Sequence, residues 1–261
     1  MSDKLPISEK TVDKFYDEGL SPTISESGKL IGRIPRLINA ALAPLDKWIL
    51  NREYSVSETK KLLEEKLQNV KPENIVSPEP YVAVPTIQAI SYSMNSTTLR
   101  NMYANLLAKS MTVTSKDSVH PAFVETIKHL SPLDAKIFAE ISSTSYKGII
   151  DLINQTDYNP EVEKYISYEL LETNISGLKI GSHILQSASF TLLEGLNLIQ
   201  ITNTAMTDEY TYSRILVSNE YKNLVKKYPN KQHISELRKS FLITDFRKLF
   251  FKVCLDTSLP S

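Results

Sequence analysis

Hydrophobic residues recur at helical spacing along much of this chain. From Leu99 the apolar positions Leu99, Met102, Tyr103, Leu106, Leu107 and Met111 fall on one face of an α-helix. Asn95 and Ser96 stand before it as N-cap candidates. The opposite face carries Arg100, Asn101, Asn105 and Lys109, and the spacing predicts that it meets water. A second helix opens with Pro121 in its first turn, where a missing N–H costs nothing. Ser131-Pro132-Leu133-Asp134 ends that helix and starts the next, with Ser131 as N-cap, Pro132 at N1 and Asp134 at N3. Upstream, Ser55 and Glu58 read as a capping box for a helix over Ser57–Val70 with the stripe Leu63, Leu67 and Val70. Between these helices, Pro72, Pro78, Pro80 and Pro85 predict that Lys71–Pro85 is an extended strap.

Residues 1–27 are polar, without sustained periodicity, and read as a tail. From Gly28 to Leu50 the apolar residues return to helical spacing, interrupted by Pro35 and Pro44, which predicts a kinked helical pair. The uncharged stretch Leu37–Leu45 is far shorter than the roughly 20 residues a bilayer span needs, so no transmembrane span is expected. Leu37, Ile38, Leu42 and Trp48 are the candidates here for a subunit contact or for interfacial contact with a membrane.

After Ser131 the pattern changes in kind. A helix over Pro132–Ser142 is followed by a short strand candidate at Gly148, an acidic helix from Pro160 to about Thr173, and a helix from Gly181 to Glu194 ending on Gly195 as the C′ residue. Leu196–Thr202 alternates like a strand and Phe241–Thr244 can pair with it. Thr244 would cap a last helix with Phe246, Leu249, Phe250 and Val253 inward. Helix, strand, helix, helix and ribbon is the order of a winged helix-turn-helix. The expected fold is therefore mainly α with a small β component: a helical N-terminal region over 28–130, then a winged-helix-like region over 131–261 with a helical insertion at about 203–240.

Three segments carry a resemblance to a known family: SPEPYVAVP at Ser77–Pro85, LRNMYANLLAKSM at Leu99–Met111, and VHPAFVETIKHLSPLDAKIF at Val119–Phe138. Over about Gly28–Leu255 the chain resembles the Abi-alpha family of bacterial proteins, named for abortive infection, the defence in which an infected cell stops growing before phage can spread. The resemblance implies that biological context and transfers no catalytic residues. It also implies a glycine near position 247, where this chain has Arg247.

Charge and cysteine content narrow the classes. Thirty basic and thirty acidic residues cancel, so no global field draws the molecule to nucleic acid or an anionic membrane. One cysteine, Cys254, excludes an internal disulfide and a multi-cysteine metal site. Met1–Lys14 alternates charges where a signal peptide would be apolar, and the cytoplasm is the expected compartment. His120, His129, His183 and His233 fall in no nucleophile–base or metal-ligand spacing, and no phosphate-cradling loop is visible. The chain is therefore not expected to be an enzyme and no cofactor is expected.

The positive signal is charge asymmetry. Between Lys222 and Lys252 nine bases face two acids, whereas Asp151–Glu172 carries six acids and one lysine. Lys222, Lys226, Lys227, Lys231, Arg238 and Lys239 are the candidates for contact with a nucleic acid or a protein partner. The helix that would enter a major groove offers His183, Gln186, Ser187 and Ser189 and no Arg or Lys, a weak set for base edges. Contact with a protein partner or self-association is thus the leading expectation, with weak nucleic-acid binding or a membrane-perturbing role of the 28–50 segment as alternatives.

Overall fold

The computed structural model describes residues 33–42, 53–93, 95–143 and 147–256. Six helices come first: α1 (Arg33–Leu42), α2 (Glu53–Leu67), α3 (Pro80–Ile90), α4 (Thr97–Ser110), α5 (Ala122–Lys128) and α6 (Pro132–Ser143). Strands and helices then alternate: β1 (Gly148–Asn159), β2 (Lys164–Ile175), α7 (His183–Gly195), β3 (Ile199–Thr202), α8 (Glu209–Leu216), α9 (Asn219–Lys226), β4 (Ile234–Ile243) and α10 (Asp245–Cys254). The four strands form one antiparallel sheet in the order β2-β1-β4-β3. The protein is mainly helical with a β component, as the spacing predicts.

Several local signals act as expected. The Ser96 side chain accepts from the Leu99 N–H at the start of α4, and all six apolar positions of that helix are buried. Ser131 and Asp134 cap α6 reciprocally, at 3.2 Å to the Asp134 N–H and 2.8 Å to the Ser131 N–H. Thr244 caps α10 by accepting from Arg247 N–H at 3.0 Å. β3 and β4 pair from Ile199 opposite Ile243 to Thr202 opposite Ser240.

The strap is shorter than expected. Lys71 is extended, a short 3-10 turn follows over Pro72–Asn74, and the stretch from Ile75 to Glu79 is extended again, held by Val76 N–H on Met111 carbonyl at 2.8 Å. Pro80 starts α3, where it needs no N–H, and Pro85 lies inside that helix. Burial of Val82, Ala83, Thr86, Ile87, Ala89 and Ile90 offsets the bond Pro85 removes. The helix α2 begins at Glu53, ahead of Ser55, so the expected capping box does not mark its end. At the far end of α7 the left-handed residue is Asn197 (φ 56°), not Gly195. Leu198 N–H reaches Leu193 carbonyl and Asn197 N–H reaches Glu194 carbonyl, a Schellman closure whose two leucines are both fully buried.

The largest correction is β2. The segment expected as an acidic helix is a strand that folds back on β1, pairing Asn159 with Lys164 and Ile150 with Ile175. KYISYELLETNI is rich in tyrosine and β-branched residues, which favour a pleated surface over a helix. With a strand in that place, a single helix, α7, lies between β1 and β3. A helix-turn-helix needs two, so the winged-helix arrangement does not form. β4 also begins earlier than the ribbon predicted, at Ile234, and pairs with β1 as well as β3. The insertion therefore ends near residue 233 and contains two helices, α8 and α9.

Alternation along β1 sends neighbouring residues to opposite faces of the sheet. Ile149, with Ile199 and Phe241, joins a core shared by α3–α7 and α10, and residues on both sides of position 130 contribute to it. Ile150, Leu152 and Ile175 face the other way, onto Tyr212, Ile215 and Leu224 of the inserted helices. A third cluster unites Ile38 of α1 with Leu63, Leu67, Ala83, Ile87 and Leu107. The fit over the start of β1 is tight, since a Cβ on Gly148 would lie 2.2 Å from Thr211 Cγ2. In α10 Phe250 and Val253 are buried, but Leu249 faces outward and Arg247 and Cys254 take inward places.

Candidate functional site

The acidic and basic blocks of the C-terminal half fold against each other. Lys227, just after α9, donates to Glu172 of β2 at 3.0 Å, and Lys231 pairs with Glu169. Arg238 of β4 forks onto Glu209 of α8 at 2.9 and 2.7 Å and reaches Glu236 at 3.3 Å. Lys239 is buried; its Nζ lies 2.8 Å from Asp151 and donates to Asn174 Oδ1 at 3.1 Å. Among the six candidate contact bases, only Lys222 and Lys226 are exposed and meet no carboxylate among the described residues. The dipole expected from the sequence is therefore largely compensated inside the fold.

Glu172 is the hub of this junction. It accepts from Lys227 and from Tyr228 Oη, each at 3.0 Å, and lies 3.2 Å from His183 Nε2. Burial alone would raise the Glu172 carboxyl. The bonds from Lys227 and Tyr228, with the charges of Lys227 and His183, outweigh it and hold the pKa below the ordinary value. Burial lowers the His183 imidazole pKa, against the opposing pull of Glu172, and His183 Nδ1 is buried without a partner.

The four polar residues expected on a groove-reading helix all turn inward. His183 meets Glu172. Gln186 accepts from Ser176 at 2.7 Å and donates to Glu220 at 3.2 Å. Ser187 shares a hydrogen bond with Thr173 at 2.8 Å, and Ser189 donates to Asp134. Each of them makes at least one contact that locks α7 to β2, α6 or α9.

The supposedly solvated face of α4 is a second correction. Asn105 and Lys109 are buried, and they reach the end of α10: Asn105 Nδ2 donates to Cys254 carbonyl at 2.8 Å and Lys109 Nζ to Lys252 carbonyl. The last carbonyls of a helix lack intrahelical partners and carry partial negative charge, so a cation and an amide satisfy them well. Burial lowers the Lys109 pKa, partly opposed by Asp256. Arg247, where the family resemblance implied a glycine, is also buried. Its guanidinium lies over the Phe138 ring at 5.4 Å and donates to Ile141 carbonyl at 3.4 Å. Neither role was legible in sequence, because each partner is more than a hundred residues away.

In the 28–50 segment, α1 lays Ile38 fully into a core cluster with Leu37 packed beside it. The Leu42 side chain, Trp48 and Pro44 lie outside the described residues. No helix among the described residues is long and apolar enough to cross a membrane. Cys254 is buried in the main core, and burial pushes its thiol pKa well above the ordinary value. No group of three or more His, Cys, Asp or Glu among the described residues could hold a metal ion. A cleft of about 440 Å³ lies between α3, α4 and α5, with Ala89, Leu99, Tyr103 and Ile127 among its walls. The one lysine at its edge, Lys128, is turned to Glu125 at 2.7 Å.

The chain matches the abortive infection alpha family over residues 51–254. The matched span starts later than the resemblance suggested and leaves out the 28–50 segment. No curated protein and no solved structure matches the chain. Spanning most of the sequence, the match places the chain in one family: it belongs to the abortive infection alpha proteins.

Proposed function

We propose that the protein is a non-enzymatic component of bacterial anti-phage defence of the abortive-infection type, working in the cytoplasm through contact with a protein partner or with copies of itself. Family membership supports the biological context. The inward turn of His183, Gln186, Ser187 and Ser189 is the observation that carries the molecular reading. A helix whose polar side chains turn inward to partners in the same chain has little left to offer base edges. Lys227, Lys231, Arg238 and Lys239 are likewise committed to carboxylates of the same chain, which weakens a phosphate-tracking role.

The test is expression in a susceptible bacterial host challenged with a broad phage panel. Reduced plating efficiency together with early loss of infected-cell viability is the expected result. Unchanged plating and survival across the panel would refute the reading. Nucleic-acid binding is the competing outcome, read by fluorescence anisotropy at physiological salt. Binding no tighter than about 10⁻⁵ M and indifferent to sequence is expected, and tight binding to a defined duplex would make the protein a regulator instead.

A further inference from the structure

The β1–β2 hairpin outruns the sheet to which it belongs. β4 pairs with β1 only from Gly148 to Asn154, whereas β1 and β2 stay paired out to Asn159 and Lys164. Gln155 N–H still reaches His233 carbonyl at 3.0 Å, and residues 156–167 extend beyond the sheet as a two-stranded arm. A lone ribbon is marginal in water. This one has support at its base from the Tyr165–His233 ring contact at 4.9 Å and within itself from the edge-on ring pair Tyr158–Tyr165 at 5.2 Å and the Thr156–Ser167 hydrogen bond at 3.0 Å. None of these contacts covers the apolar groups it shows to solvent: Val162 is 54% exposed and Ile166 65%. Apolar side chains clustered on a protruding arm mark a contact surface.

Charge says what the arm meets. At its tip Glu161 and Glu163 are exposed and form no ion pair among the described residues, and with Asp157 they outnumber the neighbouring Lys164, so the tip is acidic and repels phosphates and anionic lipids. The complementary surface is on the same chain. Lys222 and Lys226, one turn apart on α9, are exposed and uncompensated, and Val217 just before that helix is 66% exposed. The arm cannot bend back to them. Lys231 holds the hairpin at Glu169, and six residues of strand carry Glu163 about 20 Å beyond that point. Lysines at the end of α9 already pair with hairpin glutamates within one chain, as Lys227 does with Glu172.

We propose that the arm of one copy docks on the α8–α9 shoulder of a second copy, with Glu161 and Glu163 against Lys222 and Lys226 and Val162 beside Val217. This rests on the self-association branch of the proposed function and names its surface. Each copy carries one arm and one shoulder, so two copies close by exchanging arms or further copies join head-to-tail into a ring or a filament. A short two-stranded ribbon makes a small contact, so each junction is weak and assembly depends on concentration.

Sedimentation velocity of the full chain over a series of concentrations and salt levels tests the proposal. Average mass should rise with concentration and fall with salt, as screening weakens the charged contact. The pair Glu161→Lys with Glu163→Lys should weaken association roughly tenfold or more, and so should Lys222→Glu with Lys226→Glu, because like charges then face each other. All four positions are exposed, so circular dichroism and thermal midpoints should match the wild type. Mixed in equal amounts, the two charge-reversed proteins should assemble again, since each arm then finds an opposite shoulder. A chain that stays monomeric, variants that associate like wild type, or a mixture that fails to recover would each overturn the proposal. Protection against phage by a strictly monomeric chain would overturn the second-copy contact alone and leave the defence reading standing. Loss of that protection in the arm variants of such a monomer would direct the arm to a basic host or phage protein.

Discussion

The buried pair Asp151–Lys239 should behave as a structural lock whose halves cannot be removed singly. Lys239 Nζ lies 2.8 Å from Asp151 Oδ2, and both side chains are at most about a tenth exposed. Asp151 Oδ1 accepts the Asn174 N–H at 2.9 Å, and Asn174 Oδ1 accepts from Lys239 at 3.1 Å. Asn174 holds a left-handed φ of 54°, a conformation asparagine tolerates, at this corner of the triangle. Lys239→Met would leave a buried carboxylate with one backbone donor. Breaking a buried pair in this way costs about 3–5 kcal/mol, most of it the desolvation of the abandoned charge. Asp151→Asn should cost less, because the amide oxygen can still accept from Asn174. The double variant removes both charges, so its loss should fall short of the sum by about 2 kcal/mol. Urea unfolding of the wild type, both singles and the double, with slopes compared to check that the denatured state is unchanged, measures all of these terms. A Lys239→Met cost below about 1 kcal/mol, or strict additivity, would mean that water reaches the pair and that the lock does not exist.

Three further outcomes follow from the same geometry. His183 titrates below its ordinary 6.5 because burial opposes its charged form, so the unfolded chain takes up a proton below pH 6.5 that the folded chain refuses. Stability should fall as pH drops from 6.5, with a second loss below 4.5 as Glu172, held under its ordinary value, is protonated. His183→Gln should flatten the first step in thermal unfolding run between pH 7 and 5.5, and a variant that retains the full slope would assign it elsewhere. Gly148→Ala places a Cβ 2.2 Å from Thr211 Cγ2 and 2.9 Å from Tyr212 Cε1, so it should cost about 1–3 kcal/mol. Thr211→Ser in the same chain should recover part of that cost in denaturant melts; no recovery would mean the clash is relieved by another route. Lys109→Met leaves the Lys252 carbonyl without its donor and should lower stability by about 1–3 kcal/mol, with faster amide exchange in the last turn of α10. Unchanged exchange there would show that the cap does not hold that helix end.

What the sequence made legible was what its neighbours in sequence decide. The stripe from Leu99 to Met111, the Ser131–Asp134 box and the Thr244 cap each depend on residues within one or two turns, and all three form. The β3–β4 pairing was legible because Leu196–Thr202 alternates and the short apolar run at Phe241–Thr244 can pair with it. The misreadings concern residues whose state is fixed from far away. Asn105 and Lys109 look like a wet helix face until α10 ends above them. His183, Gln186, Ser187 and Ser189 look like a reading surface until β2, α6 and α9 close around them. The segment from Pro160 to about Thr173 reads as an acidic helix, yet its glutamates are what let β2 accept Lys227 and Lys231 from the inserted segment. Once β2 is a strand, three consequences are forced together: the second helix of a helix-turn-helix is lost, β1 gains a partner on its outer side, and the basic tract acquires its counter-charges. A single change of element type thus removes the expected reading surface and leaves the arm tip and the α9 shoulder among the exposed charges that form no ion pair among the described residues.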